Sequence, residues 1–403
     1  MTQTPYPRER YLAQLRPLYD STDLVKVVTG VRRAGKSVLL RQVADELRAR
    51  VGPERVVETN FELTQFDTVR TAATLVEHVT SHLPEDGRGY VILDEVGEVE
   101  QFERAVNDLR ARGGVSVFIS GSNAHLLSGE LATYLAGRYV ELRVWPLSYA
   151  ESLALRGLGP SAELLTDYLT WGGMPQRFTL PAAAGRVYLR DVFASVVLRD
   201  VVTRAGIRDV PALETILDFA MENLGRTISP RSLTGYLAAH GRKVATDTIY
   251  AYLRALTGSL LLNRVRRYDV RGRQVMTTLD KYYATDAGLL AGKRVGAGPG
   301  VGDLIENAVY VELAARGFDL YTGKTRTGEI DFIAVKDGTP RYLQVAYLLA
   351  SDAVADREFG AFGSLPDNHP RYVITTDPIA CSRDGITHLR LTDFLLDPPD
   401  SLT

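Results

Sequence analysis

The stretch from Gly30 to Ser37 carries the residue types best suited to chemistry. Its sequence, GVRRAGKS, fits the pattern GxxxxGK[ST], whose glycines let backbone N–H groups wrap around phosphate groups. The Lys36 ammonium would reach the β- and γ-phosphates, and the Ser37 hydroxyl would ligate Mg²⁺. Only seven of the 47 basic residues are Lys, so a Lys here is a stronger indication than an Arg would be. We therefore predict an ATP site with Mg²⁺, formed by Gly30, Arg33, Ala34, Gly35, Lys36, Ser37 and Val38.

Two neighbouring acids supply the second part of this chemistry. Asp94 and Glu95 end an apolar run that begins at Tyr90, and Asp94 lies 58 residues after Lys36. A carboxylate at the carboxyl end of a strand can hold Mg²⁺ through water, so we assign Asp94 to the metal. Glu95 would orient or deprotonate the attacking water. Together with the glycine-rich loop, these acids predict a nucleoside triphosphate hydrolase.

The elements around these residues predict an α/β domain over 1–147. Short apolar runs alternate with amphipathic segments, which is typical of a parallel sheet covered by helices on both faces. In such a sheet, ligands bind at the carboxyl ends of the strands, where the phosphate loop, the two acids and Asn123 all fall. Asn123 would contact the γ-phosphate or the attacking water, or else cap the following helix. The predicted strands are 24–29, 90–95, 115–120 and 139–144, and the predicted helices are 38–49, 71–83 and 100–112.

Length and composition limit the class of protein. The chain has 403 residues, which suggests two or three domains, and its 45% hydrophobic and 24% charged residues are ordinary for a soluble globular protein. A single cysteine, Cys381, excludes an internal disulfide framework and fits a reducing compartment. No apolar run approaches the ~20 residues of a membrane span, and the charged start is unlike a secretory signal. We therefore expect a cytoplasmic protein with no membrane partner.

A helical lid is predicted at 148–225, and the segment 226–295 predicts a winged-helix domain. Ser229-Pro230 begins a helix over 231–239, a second helix opens at Thr246, and strands at 260–268 and 274–283 flank a basic turn. The overall charge is −2, but 226–281 holds eleven basic residues against three acids, a net of +8. This favours nucleic-acid binding, preferably of DNA; the alternative is a winged helix used only for protein packing. The predicted phosphate contacts are Arg242, Lys243, Arg266, Arg267, Arg271 and Arg273.

The segment 296–403 predicts a restriction-endonuclease-like α/β domain. Such domains bind Mg²⁺ and activate water with residues from three elements. These are an acid on a helix, a second acid on a strand, and a third ligand with a lysine on the next strand. Here the third ligand is an amide, and Ala346 stands at the lysine position. Lys324 or Lys336 would have to enter the site, and nothing in the sequence demonstrates this. We therefore expect a degenerate, inactive nuclease site at Glu306, Asp331 and Gln344.

The motifs GVRRAGKS, VILDEV, ISGSNAHLL and LAGRYVELRVWPLSYAE occur in the first part of the chain, and WGGMPQ, TLDKYYATDAGL, LIENAVYVEL and GEIDFIAV follow. Together they resemble a group of bacterial and archaeal AAA+ ATPases with a C-terminal domain of uncharacterised function. The resemblance implies that Asn123 senses the γ-phosphate. It also implies that Arg138 stabilises transition-state charge on the nucleotide of a neighbouring subunit, and hence a homo-oligomer. The alternative is a surface arginine in an arginine-rich chain.

Taken together, these predictions favour an ATP-hydrolysing protein that couples nucleotide state to the binding or remodelling of DNA. One alternative is a regulatory switch, in which ATP sets the conformation of a protein-interaction scaffold without remodelling DNA. An ATP-regulated nuclease is the third alternative, and the missing lysine disfavours it.

Overall fold

The computed structural model describes residues 6–122, 134–270, 272, 274–276, 279–293, 298–325 and 328–403. The chain divides into two compact units, Met1–Trp145 and Pro146–Thr403. Three of the predicted site residues, Asn123, Arg271 and Arg273, lie outside the described residues. Among the residues that are described, no helix is both long enough and apolar enough to cross a lipid bilayer.

A parallel five-stranded sheet forms the centre of the first unit, with the strand order β2-β3-β4-β1-β5. The strands are β1 (Val25–Thr29), β2 (Val56–Asn60), β3 (Gly89–Asp94), β4 (Val115–Ser120) and β5 (Tyr139–Arg143). The helices that the structure describes in this unit are α1 (Glu9–Leu15), α2 (Lys36–Val51), α3 (Ala72–His82) and α4 (Phe102–Arg112). The predicted alternation of parallel strands and helices is confirmed.

Burial explains why these segments form a layered sheet. Every residue of β1 and β3 is buried, as expected for central parallel strands covered on both faces. Helix α2 turns its helically spaced apolar residues inward, and they are fully buried: Leu39, Leu40, Val43 and Leu47. The segments that follow β1 and β3 therefore start from fixed positions at one edge of the sheet.

In the second unit, a helical region precedes a mixed sheet of nine strands. The helical region contains Tyr149–Arg156, Ala162–Trp171, Ala182–Ser195, a π-helix at Val196–Thr203, and Val210–Glu222. The later helices are Pro230–Ala239, Thr246–Gly258, Ala287–Ala291, Val301–Ala315, Asp352–Gly360 and Leu391–Leu396. The strands are β6 (Thr227–Ile228), β7 (Leu262–Asp269), β8 (Gln274–Val275), β9 (Asp280–Ala284), β10 (Asp319–Lys324), β11 (Glu329–Lys336), β12 (Thr339–Val345), β13 (Arg371–Thr375) and β14 (Thr387–Arg390).

The winged-helix and nuclease-like segments, which the sequence predicts as separate modules, share this sheet. Its order is β14-β13-β12-β11-β10-β7-β9-β6, and β8 pairs with β7. The two segments are connected by the parallel pairing of β7 with β10. No local sequence pattern predicts this pairing. The predicted strand over 274–283 is two strands, β8 and β9. Side chains from β7, β9 and β11 can therefore meet at one place.

Two of the motifs, WGGMPQ at 171–176 and TDAGL at 285–289, contact one another through Asp286. Its buried carboxylate accepts hydrogen bonds from the backbone N–H groups of Gly173 (2.6 Å), Gly288 (2.8 Å) and Leu289 (3.2 Å). A Cβ at Gly173 would lie 1.9 Å from the carbonyl oxygen of Leu147, so only glycine fits. Packing and backbone hydrogen bonding account for Gly173 of the first motif and for Asp286 of the second.

Candidate functional site

The glycine-rich loop between β1 and α2 forms the first candidate site. Gly30 and Gly35 both have positive φ, +147° and +104°, and a Cβ at Gly30 would lie 2.3 Å from the carbonyl oxygen of Val144. Arg33 also takes a left-handed conformation, with φ of 68°. This backbone delivers the chain into the first turn of α2, where unpaired N–H groups favour an anion such as phosphate.

Lys36, the first residue of α2, is buried within this loop. Its ammonium donates hydrogen bonds to the carbonyl oxygens of Gly30 (3.1 Å) and Val31 (3.5 Å). Its Nζ also lies 3.7 Å from Glu95 Oε1. Lys36 and Glu95 are thus in contact, although they belong to separate segments of the chain. The sequence predicts a role in ATP hydrolysis for both residues.

Asp94 ends β3 and is held by both neighbouring strands. The Ser120 hydroxyl, at the end of β4, donates to Asp94 Oδ1, and the Asn60 amide, at the end of β2, donates to Oδ2 at 3.1 Å. These two residues were missed by the sequence predictions, although each is a polar residue that ends an apolar strand. They fix the direction of the carboxylate, as partners of a metal ligand commonly do.

Glu95 follows Asp94 in a left-handed conformation, with φ of 52°. Its backbone N–H donates to Ser120 Oγ at 3.1 Å, so a single hydroxyl holds both acids. Burial raises the pKa of Glu95, and the charge of Asp94 adds to this effect while Lys36 opposes it. A carboxylate with a raised pKa is a stronger base, which suits the removal of a proton from water.

The donor set at this edge fits ATP with Mg²⁺. Hydroxyl and carboxylate oxygens, from Ser37 and Asp94, are the hard ligands that Mg²⁺ prefers. The Lys36 ammonium and the α2 N-terminus supply positive charge for the phosphates. Bound Mg²⁺ would neutralise charge on the phosphate oxygens, and Glu95 would hold the attacking water. Val38 and Ala34 contribute backbone positions in the same segment.

Arg8, another residue that the sequence predictions missed, ties the phosphate loop to the segment after β5. Its side chain is 3% exposed and donates to the carbonyl oxygens of Ala34 (3.3 Å) and Trp145 (3.0 Å). The guanidinium also lies over the Tyr11 ring at 4.7 Å, and the Tyr11 hydroxyl accepts from the Trp145 N–H at 3.0 Å. Nothing in the sequence distinguishes Arg8 from the other arginines.

Arg138 lies at the amino-terminal end of the parallel strands, whereas the phosphate loop lies at their carboxyl-terminal end. It immediately precedes β5, whose first residue pairs with Val25 at the beginning of β1, whereas the loop follows the end of β1. The side chain is exposed. A five-residue strand spans about 13–17 Å, so the structure does not bring Arg138 to the phosphate site of its own chain.

The predicted degenerate nuclease residues come together in the second unit. Glu306 lies on the Val301–Ala315 helix, Asp331 on β11 and Gln344 on β12. Gln344 Oε1 accepts from the Asp331 N–H at 2.9 Å, and Asp331 Oδ2 accepts from the Val345 N–H at 2.9 Å. Gln344 Nε2 donates to Glu358 at 3.1 Å. We call the carboxylates of Glu306, Glu329 and Asp331 the carboxylate centre.

The expectation that this centre lacks a lysine is wrong. Lys281, on β9, lies inside it, with Nζ at 3.3 Å from Glu306, 2.6 Å from Glu329 and 3.8 Å from Asp331. The sequence pattern missed it because the lysine comes from the segment predicted as the winged helix. Of the lysines considered at first, Lys324 is exposed, and the Lys336 ammonium donates to the carbonyl oxygens of Arg316 and Thr403.

Charge and burial oppose each other at this centre. Burial acts to lower the pKa of Lys281, but the three carboxylates outweigh it and raise that pKa above its ordinary value. Burial, with Glu306 adding to it, raises the pKa of Asp331 to about 8. The Tyr283 hydroxyl donates to Glu306 at 2.6 Å. Lys281 is therefore a permanent ammonium rather than a general base.

The structure separates the predicted nucleic-acid contacts into exposed and paired residues. Lys243 and Arg266 are exposed. Arg242 lies 3.6 Å from Asp209, and Arg267 is mostly buried, 3.7 Å from Glu329 of the carboxylate centre. The prediction that Arg267 serves a nucleic-acid surface is not supported by this position, because its guanidinium is only 17% exposed and faces Glu329.

Comparisons with known proteins assign the first unit to a class. Residues 22–153 match the model of an AAA domain, and residues 162–295 match a domain of unknown function (DUF8612). The chain is 33% identical over 403 residues to an uncharacterized protein of Haemophilus influenzae, covering 98% of this chain and 100% of that protein. The chain belongs to the same family as the Haemophilus protein and carries an AAA domain with a phosphate-binding loop.

More distant similarities extend beyond this relative. An uncharacterized protein of Methanocaldococcus jannaschii is 24% identical over 360 residues, covering 84% of this chain and 78% of that protein. Among solved structures, Cdc6p from Pyrobaculum aerophilum is 15% identical with a TM-score of 0.31, covering 66% of this chain and 88% of that chain. AMPPCP-bound DnaA from Aquifex aeolicus is 15% identical with a TM-score of 0.31, covering 62% and 87%.

Proposed function

We propose that the chain binds and hydrolyses ATP, and that its nucleotide state controls the binding or remodelling of nucleic acid, with DNA preferred. The observation that carries the first part is the contact of Lys36 with Glu95 at the sheet edge where Asp94 is also fixed. Residues that the sequence assigns to one reaction thus lie within reach of one nucleotide.

The first experiment measures ATP turnover by the purified chain and by Lys36→Ala. Loss of the ammonium removes a charge that stabilises the transferred phosphoryl group, so turnover falls at least about 100-fold. Arg41→Ala is the matched control, because Arg41 is an exposed basic residue on the same helix, α2. Equal turnover by wild type and Lys36→Ala would contradict the proposal.

The nucleic-acid part of the proposal is supported by the net charge of +8 over 226–281 and by the exposure of Lys243 and Arg266. The test measures ATP turnover and binding with single-stranded, duplex and branched DNA, and with RNA. The double variant Lys243→Ala/Arg266→Ala loses affinity, and the slope of log K against log salt falls by about 2. Arg112→Ala/Arg208→Ala removes the same charge from exposed positions elsewhere.

Unchanged turnover with every nucleic acid, together with slow hydrolysis, would instead favour the regulatory switch. In that case ATP would set the conformation of an interaction scaffold. Tight retention of nucleotide and no shift of any nucleic acid in an electrophoretic assay are the accompanying signs.

We also propose a homo-oligomer in which Arg138 acts on the nucleotide of a neighbouring subunit. Its exposed position at the far edge of the sheet supports a role in trans rather than in cis. Arg138→Ala and Lys36→Ala are each expected to be inactive, while their mixture regains turnover because Lys36→Ala subunits supply Arg138. Full activity of Arg138→Ala alone, or no recovery on mixing, would refute this arrangement.

A further inference from the structure

The carboxylate centre of the second unit surrounds a cation that belongs to the chain itself. Lys281 Nζ has oxygens of Glu306, Glu329 and Asp331 within 3.8 Å, and the lysine side chain is only 4% exposed. The carboxylates reach it from two directions, one from the Val301–Ala315 helix and two from β11. The ammonium therefore stands where the three acidic side chains converge.

Each carboxylate also has a second positive or hydrogen-bonding partner. The Tyr283 hydroxyl donates to Glu306, the Val345 N–H donates to Asp331, and Arg267 lies 3.7 Å from Glu329. Three acidic side chains thus face one ammonium and one guanidinium. Buried charges persist when they are paired in this way, and removing one partner leaves the others uncompensated.

The same oxygen set has the chemistry of a divalent-cation site. Carboxylate oxygens are the ligands that Mg²⁺ and Mn²⁺ prefer, at about 2.0–2.2 Å. The distances to Lys281 are those of an ammonium, and no group of three or more His, Cys, Asp or Glu among the described residues is arranged to hold a metal ion. An ammonium and a divalent ion cannot occupy one place together.

We propose that Lys281 is a built-in cation that fills a divalent-cation site formed by Glu306, Glu329 and Asp331 and closes it to metal. The site thereby keeps its carboxylates together without Mg²⁺. This role of Lys281 goes beyond ATP hydrolysis and does not depend on it.

The experiment measures Mn²⁺ binding to the full, nucleotide-free chain by electron paramagnetic resonance of free Mn²⁺. Lys281→Met keeps the length of the side chain and removes its charge, and we expect it to gain one site at least about tenfold tighter than any in the wild type. Adding Asp331→Asn to this variant abolishes the gain. Lys26→Met is the matched control: Lys26 is equally buried, but the oxygens that its ammonium donates to are those of Ser21, Leu24 and Ser116, none of them a carboxylate.

Two results would overturn the proposal. One is tight Mn²⁺ binding by the wild type that Asp331→Asn removes, because Lys281 would then coexist with the metal. The other is a folded Lys281→Met that gains no Mn²⁺ site. If Lys281→Met fails to fold, Lys281→Gln replaces it, and the wild-type titration remains decisive by itself. Because nucleotide is omitted, none of these outcomes depends on whether the first unit hydrolyses ATP.

Discussion

Two buried lysines, Lys36 and Lys281, face carboxylates in different ways. The Lys36 ammonium donates to two carbonyl oxygens of its own loop, and the Glu95 carboxylate lies 3.7 Å away. Lys281 has three carboxylates within 3.8 Å. The first ammonium can exchange its weak carbonyl partners for phosphate oxygens, whereas the second is already neutralised.

The origin of the partners explains this difference. Lys36 and its carbonyl partners belong to one loop of eight residues, so local backbone geometry determines their contact. The partners of Lys281 lie 25 to 50 residues further along the chain. Glu306 reaches it from the Val301–Ala315 helix, and Glu329 and Asp331 reach it through the pairing of β7 with β10. In this chain, the lysine of a local motif is available to a ligand. The lysine whose partners come from distant segments is already paired with carboxylates of the protein.

The largest effect is expected for Glu95→Gln. This variant keeps the shape of the side chain and removes the base, so hydrolysis slows about 10²- to 10⁴-fold while ATP still binds. Single-turnover hydrolysis and nucleotide retention measure the two properties separately. The raised pKa of Glu95 also predicts that wild-type turnover begins to fall, on acidification, at a higher pH than an ordinary glutamate would give. Turnover of Glu95→Gln near the wild-type rate would assign the base to another residue.

The second largest effect is expected for Lys281→Met, and it concerns the stability of the fold rather than ATP turnover. Removing the ammonium takes the shared cationic partner from Glu306, Asp331 and the 31% exposed Glu329, and we expect the free energy of unfolding to fall by about 3–5 kcal/mol. Urea unfolding monitored on the second unit measures this change. Adding Glu329→Gln should recover part of the loss, and a loss below about 1 kcal/mol would remove the distinction between the two lysines.

A smaller effect is expected for Arg8→Met, which tests how firmly the first site is held from outside its motif. The carbonyl oxygens of Ala34 and Trp145 lose their donor, which destabilises the loop by about 1–3 kcal/mol. We expect KM for ATP to rise about tenfold with a smaller change in kcat, and Arg8→Lys to restore part of the affinity. A lower Tm with an unchanged KM for ATP would show that Arg8 stabilises the fold without affecting nucleotide binding.

The smallest effect, counted per pH unit, concerns Lys26, a third buried lysine. Burial lowers its pKa to about 7, so above pH 7 the unfolded chain binds more protons at this site than the folded chain. Stability should therefore rise with pH between about 7 and 10.5, by up to about 1.4 kcal/mol per pH unit. Lys26→Met should flatten this slope, measured by urea unfolding at pH 7, 8 and 9. Lys281→Met should leave the slope intact, because the raised pKa of Lys281 places its titration above 10.5.

The features that the sequence could predict are those formed between residues close together in the chain. The strand, loop and helix around Lys36 are specified by adjacent residues, and the polar residues that end β2 and β4 could have been predicted as partners of Asp94. The helix Pro230–Ala239 likewise begins where Ser229 caps it, since the Ser229 hydroxyl accepts from the Ser232 N–H at 3.0 Å. Local chemistry was sufficient in these cases.

The rest depends on pairings between distant strands. Neither Lys281 nor Arg267 has a local signal that points to Glu329, because only the β7–β10 register brings them together. Arg8 was hidden by the abundance of arginine, and its role comes from burial against a loop 26 residues away. The motifs thus indicated two of the three carboxylates of the second centre, Glu306 and Asp331, but neither Glu329 nor the Lys281 ammonium between them.

The β7–β10 pairing also determines how the chain can be divided. A fragment that ends before Val301 would leave β7 without its parallel neighbour, and a fragment that begins there would leave the same edge of β10 bare. Unpaired edges of this kind recruit strands from other molecules, so both fragments are expected to aggregate rather than fold as independent modules.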